Sequence, residues 1–210
     1  MRAADALEAR LWIAAAGFAL AALALGAAVA HRPPLRIDLA AVALRGTAVP
    51  VALFFTALGR WPLLLGVVVV AAGTALALRT GLSAVVVLFA AQVLSQAVAA
   101  SMKLGFHRVR PDGALGPQES DLSFPSGHSV TAAVLFAGLA VLAWHAPLPR
   151  PIATLVTVAL VVCAVGIPWS RLALGAHYLT DVIGGVLLGA AFLCAALAIV
   201  LRFTAAGHAA

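Results

Sequence analysis

Residues 82–111 read LSAVVVLFAAQVLSQAVAASMKLGFHRVRP. Leu82 to Met102 is long and apolar enough to cross a bilayer core, which takes about 20 residues. The run then passes directly into Lys103, Arg108 and Arg110, and Pro111 disfavours helix at Arg110. Permanent charge is costly in lipid, so cations at this boundary mark either a functional site or side chains that snorkel to the headgroups. Lys103 and Arg110 are seven residues apart. On a continuing helix both would point to one face, about 10 Å apart along the axis.

The rest of the chain repeats the theme. It is 210 residues long, 64% hydrophobic and only 10% charged, with a mean hydropathy of +1.13. Soluble chains carry about 25% charged residues, so composition excludes an ordinary soluble domain. The formal charge of +6 does not indicate a nucleic-acid partner, because the basic residues form no soluble patch. Further apolar runs cover Leu11 to Ala30, Pro62 to Leu78, Ser129 to Trp144, Ile152 to Ile167 and Val182 to Leu201. The expected fold is all-α: a single polytopic domain over residues 1–210 with six transmembrane helices. Leu39 to Gly59 is apolar but interrupted by Arg45, Gly46 and Pro50, which suits an interfacial or re-entrant segment within 31–61 better than a seventh crossing. Cys163 and Cys194 lie inside apolar runs and read as buried thiols. Ala28-Val29-Ala30 resembles a signal cleavage site, but the preceding apolar core is longer than the 7 to 15 residues of a signal. An uncleaved first span is therefore expected.

Two more polar stretches punctuate the hydrocarbon. Pro125-Ser126-Gly127-His128 stands just before the fourth run, where a helix start offers unpaired N–H groups and the positive dipole end. Gly127 lets the backbone approach an anion, and Ser126 is able to cap or donate. Ser170-Arg171 is followed by His177 and Asp181 at i, i+4, which puts a carboxylate within reach of an imidazole if that stretch is helical. With six crossings, all three stretches fall on one membrane face. Gln92 and Gln96, also i, i+4, are expected to hydrogen-bond between helices. His107 reads as a solvated loop imidazole.

Together the pattern Lys-x6-Arg-Pro, Pro-Ser-Gly-His and Ser-Arg-x5-His-x3-Asp resembles the type 2 phosphatidic acid phosphatase (PAP2) superfamily, membrane lipid phosphatases related to vanadium haloperoxidases. The resemblance implies roles. His177 is the expected nucleophile, Asp181 its orienting partner and His128 the general acid. Lys103, Arg110 and Arg171 are the expected phosphate cage, with Ser126 and Gly127 as further donors. It implies hydrolysis of a lipid phosphomonoester or pyrophosphate through a phosphohistidine, with no metal and no cofactor. Undecaprenyl pyrophosphate, phosphatidylglycerol phosphate and phosphatidic acid are the candidate substrates, the first favoured. The same motifs would also serve transfer to a lipid A or sugar acceptor, and an anion or lipid transporter is the non-enzymatic alternative. One departure is His107, where similar proteins commonly have glycine before the arginine.

Orientation is nearly balanced. Arg2, Arg10, Arg79, Arg150 and Arg202 lie on the side of the termini, against Arg32, Arg36, Arg45 and Arg60 on the side of the motifs. The short loops favour termini inside and the site on the periplasmic or extracellular face of a bacterial plasma membrane.

Overall fold

The computed structural model describes residues 3–207 except Gln118 and Ser120; Arg2, counted above for the terminal side, lies outside them. Among the described residues there are helices and no strands: α1 (Ala3–Val29), α2 (Arg36–Ala41), α3 (Val49–Leu58), α4 (Trp61–Ala77), α5 (Leu82–Phe106), α6 (Gly127–His145), α7 (Arg150–Ala173) and α8 (Leu179–Gly207). The expected all-α architecture is thus observed. Five of these helices, α1, α5, α6, α7 and α8, are long and apolar enough to cross a membrane. The remaining expected span, α4, has 17 residues. At 1.5 Å per residue it rises about 25 Å, a little less than a hydrocarbon core of about 30 Å.

Residues 36–58 do not form one crossing helix. They bend by 112° between Leu44 and Val49. The bend falls where the sequence is interrupted: Gly46 takes a positive φ, and Pro50 sits in the first turn of α3, where its missing N–H costs nothing.

The bundle pairs α1 with α8, α3 with α7, and α5 and α6 with α8. Small residues allow the closest approach. A Cβ on Gly185 would stand 2.5 Å from the Ser126 carbonyl oxygen and 2.8 Å from Ser129 Cβ. The α8 backbone therefore lies directly against the first turn of α6. One turn beyond His128, residues 132–136 widen into a π-helical turn, a local irregularity frequently found beside functional sites. Gln92 Nε2 (2.8 Å) and Gln96 Nε2 (3.0 Å) both donate to Thr131 Oγ1, tying α5 to α6 as expected.

The non-spanning segments gather at one end. Gly46 N bonds Ala173 O at 2.9 Å, Leu115 N bonds Leu174 O at 2.8 Å, and Ser126 N bonds Asp181 O at 3.0 Å. These bonds stitch the 31–61 segment and the α5–α6 loop across the C-terminus of α7 and the N-terminus of α8.

Gly185→Val would force α8 off the first turn of α6, an overpacking that typically costs about 1–3 kcal/mol. The expected outcome is a lower thermal unfolding midpoint in detergent; an unchanged midpoint would show that the two helices do not need this contact.

Candidate active site

The three polar stretches meet at that end. α5 stops at Phe106 because His107 takes a left-handed conformation (φ 48°). Lys103 and Arg110 consequently do not share a helix face, which corrects the expectation from their spacing. The chain doubles back instead, and both cations grip Asp121: Lys103 through Nζ and Arg110 through Nη2 and, at 2.8 Å to the Asp121 carbonyl, Nε. Burial pushes the Asp121 carboxyl up, but its bonds to Lys103 and Arg110 outweigh this and hold it below its ordinary range.

The centre of the cluster is Glu119. Its Oε2 lies 2.8 Å from Arg110 Nη2 and 3.9 Å from His177 Nε2. Its Oε1 lies 2.6 Å from Arg171 Nη2 and 3.9 Å from His128 Nδ1. One carboxylate thus takes two guanidiniums and stands between both imidazoles. Arg171 is buried and also donates to Thr56 of α3. Its Nε and His128 Nε2 are buried without a hydrogen-bond partner among the described residues; such atoms are uncommon in native interiors.

His177 precedes α8 rather than lying on it; the turn is made possible by Gly175 at φ 63°. The i, i+4 reach nonetheless holds, with His177 Nδ1 3.5 Å from Asp181 Oδ2. Arg110 Nη1 faces His177 Nε2 at 2.8 Å. Arginine has only donors, so Nε2 is the acceptor and the proton sits on Nδ1. Burial, followed by the fields of Arg110, Arg171 and Lys103, holds the imidazole well below its ordinary range. His177 is therefore neutral at physiological pH, with its lone pair turned toward the cations.

Ser126 and Gly127 occupy the start of α6. Ser126 is the buried N-cap, and Ser129 Oγ donates to its Oγ at 3.1 Å. The Gly127 carbonyl accepts from Gln96 Nε2 at 3.0 Å. Neither is hydrogen-bonded or ion-paired to Glu119 among the described residues. The exposed His107 stacks on His31, 6.4 Å between ring centroids, rather than joining the cluster.

Beside the cluster opens a cavity of about 600 Å3. Its walls pass from Lys103, Glu119 and His128 to Leu64, Ala99 and Ala100, a polar end continuous with an apolar one.

Sequence reasoning missed Glu119, Asp121, Ser123, Asp38 and Arg108. A signal did exist. The chain has only seven acidic residues, and four of them, Asp38, Glu119, Asp121 and Asp181, meet here. Ser123 Oγ donates to Asp181 Oδ2. Arg108, passed over as a site residue, is buried between Asp38 and Asp181.

The sequence matches the PAP2 superfamily over residues 80–205, which contains every motif above. This chain belongs to the PAP2 superfamily. Among its relatives are phosphatidylglycerophosphatase B of Bacillus subtilis, 43% identical over 89 residues, which are 42% of this chain and 44% of that protein. Lipid A 1-phosphatase of Rhizobium johnstonii is 35% identical over 115 residues, 50% of this chain and 43% of that one. The chain thus spans less than half the length of the curated relatives it matches. Its fold is similar to that of the crystal structure of a transmembrane PAP2-type phosphatidylglycerolphosphate phosphatase from Bacillus subtilis. The TM-score is 0.74 and the identity 28%, over 92% of this chain and 96% of that one.

Glu119 competes with any anion for Arg110 and Arg171. Glu119→Gln should therefore tighten inhibition by orthovanadate or inorganic phosphate by about tenfold, the worth of one charge-assisted contact. Equal inhibition constants would mean that the carboxylate does not guard the cations.

Proposed function

We propose that the chain is a multi-pass membrane phosphatase that removes phosphate from a lipid phosphomonoester or pyrophosphate by way of a phosphohistidine. The observation that carries this reading is the position of Glu119, an oxyanion held by two arginines between two imidazoles. A phosphoryl group in the same place would meet Lys103, Arg110 and Arg171 as charge partners. His177 Nε2 would lie on one side and His128 on the other, and the orphaned Arg171 Nε would gain an acceptor.

In the first step His177 Nε2 attacks phosphorus and the bond to the lipid oxygen breaks. His128 gives its proton to that oxygen, while Asp181 accepts the Nδ1–H bond and stabilises the charged ring. In the second step water attacks phosphorus, the P–N bond breaks and His128 takes the proton from water. The cations supply the charge stabilisation on which phosphoryl transfer depends. The first-turn amides of α6 at Gly127, with Ser126 fixing that turn, are additional donors.

The amphiphilic cavity suits a lipid whose head reaches the cations while its tail follows α4 and α5. Arg60 lines the same cavity beside His128, and its guanidinium makes no hydrogen bond or ion pair among the described residues. A leaving group that carries its own phosphate would meet it there. This supports a diphosphate such as undecaprenyl pyrophosphate over a simple monoester, while the short-loop arginines favour the outer face of the bacterial plasma membrane for the site.

Purified protein in detergent, given undecaprenyl pyrophosphate, phosphatidylglycerol phosphate and phosphatidic acid, is expected to release phosphate fastest from the first. Arg60→Gln should reduce that preference by about tenfold, and His177→Ala should abolish all three activities while inserting normally. Phosphate release from none of them, or from His177→Ala within tenfold of wild type, would defeat the reading.

The lowered affinity of His177 for protons has a kinetic sign. The neutral imidazole is the nucleophile, so activity persists as pH falls through the ordinary histidine range and disappears only well below pH 6.5. The acidic limb of kcat/KM, which reports the free enzyme, is expected there. A limb at or above 6.5 would contradict the cationic surroundings assigned to His177.

A further inference from the structure

Behind Asp181 lies a second buried ionic unit that the reaction scheme above does not use. Arg108, on the loop after α5, donates from Nη1 to Asp181 Oδ1 at 2.5 Å and from Nη2 to Asp38 Oδ2 at 2.8 Å. Its side chain is 3% exposed, and both carboxylates are 0% exposed. Arg108 Nη1 also donates to Thr180 Oγ1 at 2.6 Å, and its guanidinium lies 4.5 Å from the centroid of the Tyr178 ring. Asp38 accepts in turn from Thr180 N at 2.9 Å, Thr180 Oγ1 at 2.8 Å and Leu35 N at 3.0 Å. Residues 178, 180 and 181, which surround His177, are thus all held by one arginine and one aspartate from distant parts of the chain.

The division of the Asp181 carboxylate is the informative detail. Oδ1 belongs to Arg108. Oδ2 accepts from Ser123 Oγ and Tyr178 N, and it lies 3.5 Å from His177 Nδ1. A carboxylate free to turn about its Cβ–Cγ bond would present either oxygen; the arginine removes that freedom. It also supplies the countercharge without which a buried carboxylate is severely destabilised. Asp38 then fixes the arginine, leaving the trio with one net negative charge to meet the positive charge that develops on the imidazole.

We propose that Arg108 and Asp38 are positioning residues for the phosphoryl-transfer step: the Arg108–Asp38 pair aims one oxygen of Asp181 at His177 Nδ1 and keeps it there as charge builds on the ring. The inference rests on the assignment of His177 and Asp181 as nucleophile and partner. It makes α2, a short helix outside the spans, part of the catalytic apparatus, and it adds a function to the arginine that precedes Val109-Arg110-Pro111.

The test is a double-mutant cycle in kcat and KM. Its substrate is whichever of phosphatidic acid, phosphatidylglycerol phosphate and undecaprenyl pyrophosphate the wild-type protein hydrolyses fastest. Arg108→Met is expected to lower kcat by about 100-fold with KM changed by less than about threefold, since the interaction matters in the transition state. Arg108→Lys should recover part of that loss. In an Asp181→Asn background, Arg108→Met should cost no more than about threefold further, because the arginine acts through the carboxylate. Asp38→Asn, nearly isosteric, should lower kcat by about tenfold, and it carries the inference if Arg108→Met does not fold. An Asp181→Asn loss followed by a fully multiplicative Arg108→Met loss would overturn the positioning role and leave the assignment of His177 and Asp181 intact. So would an effect confined to KM, or an Asp38→Asn enzyme as fast as wild type. An Asp181→Asn enzyme of wild-type speed would overturn the assignment itself.

Discussion

A guanidinium cannot rest among hydrocarbon and helix backbone unless its charge is met at hydrogen-bond distance, and Arg108 is where this chain meets that demand most completely. Removing one member of a buried pair typically costs about 3–5 kcal/mol, because the other is left uncompensated. Arg108 therefore fixes three separate pieces of structure. It draws α2 onto the start of α8 through Asp38, and it anchors the first turn of α8 through Thr180 and Asp181. Its carbonyl also accepts from Ser123 N at 2.8 Å, so the loop bearing Glu119 and Asp121 returns to the same point. The cage in front of His177 is assembled on that frame.

The cage itself would be self-repelling without an anion. Lys103 and Arg110 converge on Asp121, and Arg110 and Arg171 on Glu119, so the cations lie close enough to repel one another. The loop between α5 and α6 answers with two carboxylates, Glu119 and Asp121, each bridging more than one cation. Such an arrangement holds the cations in place before a phosphate arrives. It also sets a threshold. On the proposed function a ligand would gain the site only by interacting with these cations better than a single-charged carboxylate does, as a phosphate dianion with three or four oxygens would.

The sequence made the helical membrane architecture legible because apolar runs of spanning length leave few alternatives, and α5, α6 and α8 begin and end close to where hydropathy changes. It also placed His177 and Asp181 together, since four residues along the chain keep them in reach even though the helix starts after His177. It misjudged how Lys103 and Arg110 meet. Seven residues suggest two helical turns, but a left-handed His107 ends the helix, and nothing in that residue type announces it. Glu119 and Asp38 were illegible for a different reason. Asp38 meets Arg108, 70 residues away, and Glu119 joins Arg171, 52 residues away, to the nearby Arg110; no local pattern encodes contacts of the longer range. The scarcity of acids was the only available hint: in a chain with few places to keep a carboxylate, those that persist have partners.

The same end of the bundle also follows an electrostatic logic imposed by its topology. Successive antiparallel helices bring two C-termini and two N-termini to one face: those of α5 and α7, and those of α6 and α8. C-termini carry the negative end of the helix dipole and favour cations; N-termini favour anions and lower the cost of negative charge. Lys103 and Arg171 stand in the last turns of α5 and α7, while Asp181 stands in the first turn of α8 and Pro125-Ser126-Gly127-His128 opens α6. Each charged group is placed where its own helix stabilises it. The cations then point inward to a space that the α6 amides also favour for an anion. In the proposed reaction a phosphate entering there would be met by side-chain charge from two helices and by backbone dipole from a third, with His177 on the turn before the fourth. Four consecutive helix ends at one face are sufficient to build such a site, and the loops between them need supply only the carboxylates that hold it ready.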